Sequence, residues 1–156
     1  MFSTAIQLDR IVAPARLAEA FASATDIDID HVRVITRDDF ERSPWRWFSD
    51  DVSLGLQTSE HRGDFPFEVE LFSREDLDLR SVLQSVVQEL GVAALTDEFD
   101  VNPLSDVEWL MISPDGSSSV VYIDDEEFGA DDPAIILVPD SRAVYESKRI
   151  GSPSSV

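Results

Sequence analysis

The chain has 156 residues, 43% of them apolar, and no cysteine, which suits one globular domain and excludes disulfides, thiolate metal sites and cysteine nucleophiles. Thirty-two acids against twelve bases give a formal charge of −20, and such a field repels nucleic acid and anionic lipid but attracts basic proteins and cations. The N-terminus lacks the pattern of a signal peptide and no apolar run approaches about 18 residues, so we expect a cytoplasmic protein without a membrane span.

The first half of the chain predicts four strands and one helix. Residues 2–8 alternate apolar and polar side chains, as in a half-buried strand. Pro14 suits a first helical position, and Leu17 and Phe21 share one face, so a helix is expected over about 14–24. The remaining strands are predicted over 31–36, 52–58 and 67–71. The last two of these form an antiparallel hairpin through the polar connection SEHRGDFP.

A second helix is predicted near the middle of the chain. Ser73 and Asp76 resemble a capping box with Asp in place of Glu. Gly91 suits a left-handed helix terminator. Between these signals the apolar residues recur at spacings of four, three and four, as one stripe of Leu79, Leu83, Val86 and Leu90.

The second half of the chain predicts further strands. VAALT is a short apolar strand, and VEWLMI and SVVYID flank a Ser-Pro-Asp-Gly turn at 113–116 as a hairpin. Both hairpin strands are apolar on both faces, so we expect both faces to be covered. AIILV, over 134–138, is a short buried strand that stops at Pro139. A single domain over 1–148 and a flexible tail over 149–156 are predicted.

These elements predict an α+β fold. We expect a mainly antiparallel sheet of about six to eight strands with two helices packed on one face. The first part suits a ferredoxin-like βαββαβ unit, extended by the C-terminal hairpin.

The sequence contains no recognisable catalytic motif. His31 and His61 are the two histidines, no Gly-x-Ser-x-Gly elbow surrounds a serine, and no glycine-rich phosphate loop occurs. We therefore assign no catalytic residue and no cofactor. The adhesion tripeptide Arg62-Gly63-Asp64 is attributed to chance.

Two acidic segments are candidates for a metal site. Asp26, Asp28 and Asp30 alternate with isoleucines, so an extended backbone would line three carboxylates along one face as a weak divalent-cation site. A calcium loop starting at Asp124 fails, because Phe128 and Ile135 replace two of its ligands. No metal ligand is assigned.

The stretch VYIDDEEFGADDP, residues 121–133, carries six carboxylates on a loop between two predicted strands. Phe128 lies in its middle, as an inward peg or an exposed anchor. We predict that this loop binds a partner, flanked by Asp50 and Asp51 and anchored by Trp45 or Trp47, two aromatic residues that suit either a core or an interface. The loop residues assigned to this role are Asp124, Asp125, Glu126, Glu127, Phe128, Asp131 and Asp132.

The charge and the acidic loop predict a non-catalytic binding protein that inhibits or neutralises a basic protein, as immunity proteins and antitoxins do for nuclease-like toxins. One alternative is a salt-adapted domain with a regulatory or scaffold role, since eleven Arg accompany one Lys and twenty Asp accompany twelve Glu. Another is a divalent-metal enzyme built on carboxylates alone.

Overall fold

A computed structural model of the protein describes residues 2–42, 50–97 and 107–150. Its strands, numbered in chain order, are β1 (Phe2–Leu8), β2 (Val32–Thr36), β3 (Leu54–Glu60), β4 (Arg62–Gly63), β5 (Phe67–Ser73), β6 (Ala94–Thr96), β7 (Glu108–Ile112), β8 (Ser118–Tyr122) and β9 (Ala134–Ile135). The helices are α1 (Pro14–Thr25), α2 (Arg37–Arg42), α3 (Leu79–Leu90), α4 (Asp125–Phe128) and α5 (Pro139–Ile150), with a 3₁₀ turn over Ile29–His31.

Seven strands form one mixed sheet in the order β2-β3-β5-β1-β6-β7-β8. Every neighbouring pair is antiparallel except β2 and β3, which are parallel. Four of these strands lie in the order β6-β1-β5-β3. In the chain, α1 lies between β1 and β3 and α3 between β5 and β6, which is the arrangement of a ferredoxin-like unit. The predicted α+β class is confirmed, and the hairpin of β7 and β8 extends the unit beyond β6.

Helices α1 and α3 cover one face of the sheet. Alternate residues of the strands point toward them, and Ile6, Leu8, Leu56 and Val69 are fully buried there. Phe21 of α1 and several apolar residues of α3 complete this core. Of the predicted α3 stripe, Leu79, Leu83 and Val86 are buried and Leu90 is half-buried.

Helix α3 begins later than the predicted capping box implies. The side chain of Asp78 caps it, accepting from the backbone N–H of Ser81 at 3.4 Å and from the Ser81 hydroxyl at 2.9 Å. Ser73 is still part of β5, and its hydroxyl accepts from the N–H of Glu75. The predicted cap at Ser73 was therefore wrong, since the observed cap lies five residues later at Asp78, although Gly91 does end the helix, with φ of 66°.

The C-terminal segment covers part of the opposite face, over β6 and β7. A second buried cluster fills this space, with Leu95, Trp109 and Met111 from the sheet and Phe65, Ile123, Ile135 and Leu137 packed on them. The hairpin prediction was only partly right. Strand β8 lies at the sheet edge, and on the face toward α1 and α3 its Val120 and Tyr122 remain 42% and 45% exposed.

The segment after Asp132 differs from the single strand predicted over 134–138. Strand β9 leaves the main sheet and pairs in parallel with β4, while Leu137 forms an isolated bridge with Ile123. Pro139 opens α5 instead of only ending a strand, because proline suits the first turn of a helix. Helix α5 ends at Ile150, and the rest of the predicted tail lies outside the described residues.

The segment of Asp26, Asp28 and Asp30 is not extended. Asp26 adopts a left-handed conformation with φ of 59°, and the Asp28 side chain caps the 3₁₀ turn that contains Asp30. The three carboxylates therefore do not line one face, as an extended strand would have placed them. His31 also lies in this turn instead of in β2.

Tyr145 attaches α5 to the sheet through a buried carboxylate. Its hydroxyl donates to Asp9 Oδ2 at 2.8 Å, and its ring lies 5.4 Å from that of Phe65, centre to centre. The Asp9 side chain is only 3% exposed and also accepts from the N–H of Ala93. Burial, followed by the nearby charge of Asp9 and this hydrogen bond, raises the pKa of Tyr145.

We expect Tyr145→Phe to lower the free energy of unfolding by about 1–2 kcal/mol at neutral pH, because a buried carboxylate loses a donor. The pH dependence should change as well. In the wild type the unfolded chain loses the tyrosine proton near pH 10 while the folded chain keeps it, so stability is full below about pH 10 and falls above it. Urea unfolding between pH 8 and pH 11 would show a shallower alkaline decline in the variant. An unchanged decline would contradict this role.

Candidate functional site

The tip between β3 and β5 holds the C-terminal segment in place through Arg62, Gly63 and Asp64, which we call the latch. Gly63 has φ of 113°, and a side chain there would meet the backbone oxygen of Ile135. The N–H of Asp64 donates to the Ile135 oxygen at 2.7 Å. Asp64 Oδ2 accepts from the N–H of Leu137 at 2.9 Å and from Arg142 Nη2 at 2.7 Å. The tripeptide thus has an internal structural role.

The acidic loop is folded. Asp124 is the N-cap of α4 and accepts from the N–H of Glu127 at 3.1 Å. The N–H of Asp124 itself donates to the oxygen of Ile136 at 2.7 Å, which ties the start of the loop to its end. Aspartate is a strong N-cap, and acids in a first turn interact favourably with the helix dipole. Part of the acidity of this loop therefore stabilises its own backbone.

Arg62 of the latch forms ion pairs with two carboxylates of the loop. Its Nε lies 2.8 Å from Asp132 Oδ2, and its Nη2 donates to the Asp132 backbone oxygen at 2.7 Å. Nη2 also lies 3.6 Å from Glu127 Oε2. In the part of the chain that the structure describes, the remaining exposed carboxylates, those of Asp125, Glu126 and Asp131, form no ion pair or hydrogen bond.

Phe128 points inward. It is half-buried against the second core, and its ring meets that of Trp109 edge to face, with centres 6.1 Å apart and planes at 80°. Trp109 is 8% exposed. This aromatic contact holds the loop over β7 and makes Phe128 a peg for the loop.

A cleft of about 330 Å³ lies between the acidic loop and the uncovered part of the sheet. We call it the open-face cleft. Its apolar wall consists of Ala5, Trp109, Phe128, Pro133 and Ile135. Its polar groups are Gln7, Arg37, Ser59, Glu60, His61, Glu68, Asp97 and Asp132.

A hydrogen-bonded network forms the polar floor of the cleft. The amide nitrogen of Gln7 donates to Glu68 Oε1 at 2.9 Å, and its amide oxygen lies 2.7 Å from His61 Nε2. Glu68 Oε2 accepts from Arg37 Nη2 at 2.7 Å and from the hydroxyl of Ser59 at 3.2 Å. With three donors to one carboxylate, the floor is held in one arrangement.

This network lacks the arrangement of a nucleophile and its base. The Ser59 hydroxyl donates to Glu68, while His61 faces Gln7 and, through Nδ1, the backbone oxygen of Arg62 at 3.0 Å. No bond joins Ser59 to His61, as a serine hydrolase would need. Over residues 2–42, 50–97 and 107–150, no group of three or more His, Asp or Glu side chains is arranged to hold a metal ion.

The structure brings together some of the predicted site residues. The seven predicted residues that lie between positions 124 and 132 share one loop beside the cleft. Asp50 and Asp51 precede β3, whereas the latch, which contacts the acidic loop, follows it. The length of this seven-residue strand, roughly 20 Å, therefore separates the two aspartates from the loop. They therefore do not flank it as predicted. Trp45 and Trp47 lie outside the described residues.

The cleft also contains residues that the sequence pattern did not identify. Gln7, Ser59 and Glu68 occupy polar positions in strands whose apolar and polar residues alternate. This pattern equally suits a sheet face that is exposed to solvent. His61 was the one residue whose position in the sequence pointed to the cleft. It directly follows β3 and so places an imidazole ring at the end of the sheet where the cleft lies.

No protein-family model, curated protein or solved structure matches the chain. In the part of the chain that the structure covers, no helix has the length and apolar character needed to cross a membrane. The features of the molecule that bear on its function are therefore the acidic loop, the open-face cleft and their charges.

Proposed function

We propose that the protein is a non-catalytic, acidic binding protein that inhibits or neutralises a basic protein partner in the cytoplasm. The observation that carries this proposal is the set of three exposed carboxylates, Asp125, Glu126 and Asp131, on a folded loop beside a cleft. Immunity proteins and antitoxins offer the analogy, since enzymes that cleave nucleic acid are basic to match a polyanionic substrate.

Electrostatics supports an association role for the loop. The whole chain carries −20, which would speed the approach of a basic protein, and the effect should decrease steeply with salt. Local carboxylates beyond this general field orient the encounter. Those of the loop are presented by a capped turn that the latch and Phe128 hold in place. A partner would therefore meet a largely preorganised surface, which lowers the entropy cost of binding.

A general acidic coat, as in a salt-adapted protein, and a specific binding loop predict different effects of charge removal on partner binding. Exposed acids also occur away from the loop, among them Glu19 of α1, Glu89 of α3 and Asp76 in the connection that leads into α3. If charge alone matters, neutralising three of these should weaken binding as much as neutralising three in the loop. The two sets therefore make a matched comparison at equal net charge.

The test combines partner capture with association kinetics. Affinity capture from the native cell and mass spectrometry identify a basic, stoichiometric partner, which is then purified. We expect the triple variant Asp125→Asn, Glu126→Gln, Asp131→Asn to lower the association rate by about tenfold or more at low salt. Asp124 is left unchanged because it caps α4.

The control is the triple variant Glu19→Gln, Asp76→Asn, Glu89→Gln, which should change the rate by less than about threefold. Circular dichroism should show the same fold for both variants. The proposal fails if both triples slow association equally, or if no basic protein is captured in stoichiometric amount.

A further inference from the structure

We propose that the open-face cleft takes the guanidinium side chain of an arginine from the basic partner. This inference rests on the proposed function and adds the chemical group that the cleft recognises. The cleft volume of about 330 Å³ is at the lower end of the range for ligand sites, roughly 300–1,000 Å³, which suits a small ligand or a single inserted side chain.

The charge of the lining favours a cation. The lining contains four carboxylates, those of Glu60, Glu68, Asp97 and Asp132, and one guanidinium, that of Arg37. Arg37 is already engaged by Glu68 at 2.7 Å and by Glu70 at 3.4 Å. Asp132 is paired with Arg62. In the part of the chain that the structure covers, Glu60 and Asp97 are exposed and have no basic partner, so their charge remains available to a ligand.

The opposite wall favours a flat cation with an apolar stem. Phe128 and Trp109 form an aromatic corner beside Pro133 and Ile135. Guanidinium groups stack on aromatic faces and bind carboxylates with two parallel hydrogen bonds, whereas an ammonium is a compact and strongly hydrated charge. The methylenes of an arginine stem can cover the apolar wall while the head reaches Glu60 and Asp97.

The floor of the cleft is already set for this ligand. Gln7, His61 and Glu68 hold one another by hydrogen bonds of 2.7 and 2.9 Å, so little rearrangement accompanies binding. Arg37 and Glu68 show the same chemistry within the chain, a guanidinium held against a carboxylate of the sheet.

Two matched probes test the inference without the partner. Nα-acetyl-arginine amide carries the guanidinium, and Nα-acetyl-citrulline amide has nearly the same shape without the charge. In ¹H–¹⁵N NMR titrations at low salt, the arginine probe should shift the signals of Gln7, Ser59, His61 and the Trp109 indole, with a dissociation constant on the order of 1 mM. The citrulline probe should bind at least about tenfold more weakly.

A double variant locates the binding site. Glu60→Gln with Asp97→Asn should weaken the arginine probe by about tenfold, since both carboxylates are exposed and outside the latch. Glu19→Gln with Asp76→Asn, outside the cleft, is the control and should change binding by less than about twofold.

Equal binding of the two probes would overturn the inference. So would signal shifts centred outside the cleft, or no saturable shift up to about 20 mM probe. These outcomes are separate from a failure of the proposed function. If the loop triple slows association of a captured partner but the arginine probe does not bind, the cleft proposal alone is wrong. If the probe binds and no basic partner is captured, the proposed function is wrong instead.

Discussion

Replacing Gly63 by alanine should lower the free energy of unfolding by about 3 kcal/mol or more, because it adds both backbone strain and a steric clash. The reason is local to the latch. Gly63 has φ of 113°, a conformation that alanine adopts only with strain, and an added Cβ would clash with the backbone oxygen of Ile135. Backbone cannot rotate away as a side chain can, so β4 and β9 would have to separate.

Urea unfolding and hydrogen exchange would measure this effect. The amides of Asp64 and Leu137, which bond across the latch, should lose protection before those of β1. Gly129→Ala is the matched control, because Gly129 has φ of −87° and a Cβ added there would lie 3.3 Å from the oxygen of Asp125. We expect that variant to change stability by less than about 1 kcal/mol. A similar loss in both variants would show that the close approach at Gly63 is not what matters.

Asp64→Ala should cost about 2–3 kcal/mol. One carboxylate oxygen receives both the Leu137 N–H and the Arg142 guanidinium, so its removal leaves a part-buried backbone donor and a cation without this partner. The estimate is below that of a fully buried pair because the side chains are 22% and 42% exposed. Asp64→Asn keeps an acceptor for Leu137 and should lose less.

Asp39→Ala is the comparison for this substitution. Asp39 pairs with Arg42 at 3.4 Å on the surface of α2, where both side chains are mostly exposed. Such pairs contribute little, so a loss below about 0.5–1 kcal/mol is expected from equilibrium unfolding in urea. If Asp64→Ala were as mild as Asp39→Ala, the latch would not hold the C-terminal segment.

The regular elements of the unit that contains α1 and α3 follow from the sequence. Strict alternation, as in Phe67 to Leu71, marks strands that bury one face, and the Leu79 to Val86 stripe marks α3. Helix α5 had no such signal. Its contacts to the sheet include polar ones, Ser141 to the N–H of Tyr122 and Tyr145 to Asp9, which apolar periodicity does not detect.

The candidate site was predictable only in part. The acidic loop is continuous in sequence, and the apolar runs on both sides of it predicted that it is pinned at its ends. The cleft is assembled from β1, β3, β5, β7 and the loop, so no window of sequence contains it. The β4–β9 pairing joins two segments of two residues each, which are too short to show an alternation of apolar and polar residues. Asp50 and Asp51 were assigned to the site on their charge alone, which does not indicate their position in the fold.

The position of the latch in the chain also determines when the binding surface can form during folding. The bonds of Arg62 and Asp64 to the C-terminal segment span 70 to 78 residues, and that of Tyr145 to Asp9 spans 136. Contacts this distant require much loop closure before they contribute, so they form late. During synthesis, the strands that precede α5 emerge and pair first. We expect the carboxylates of the loop to become a defined surface only after Arg62 has paired with Asp132, so a nascent chain that ends before this residue would not present it.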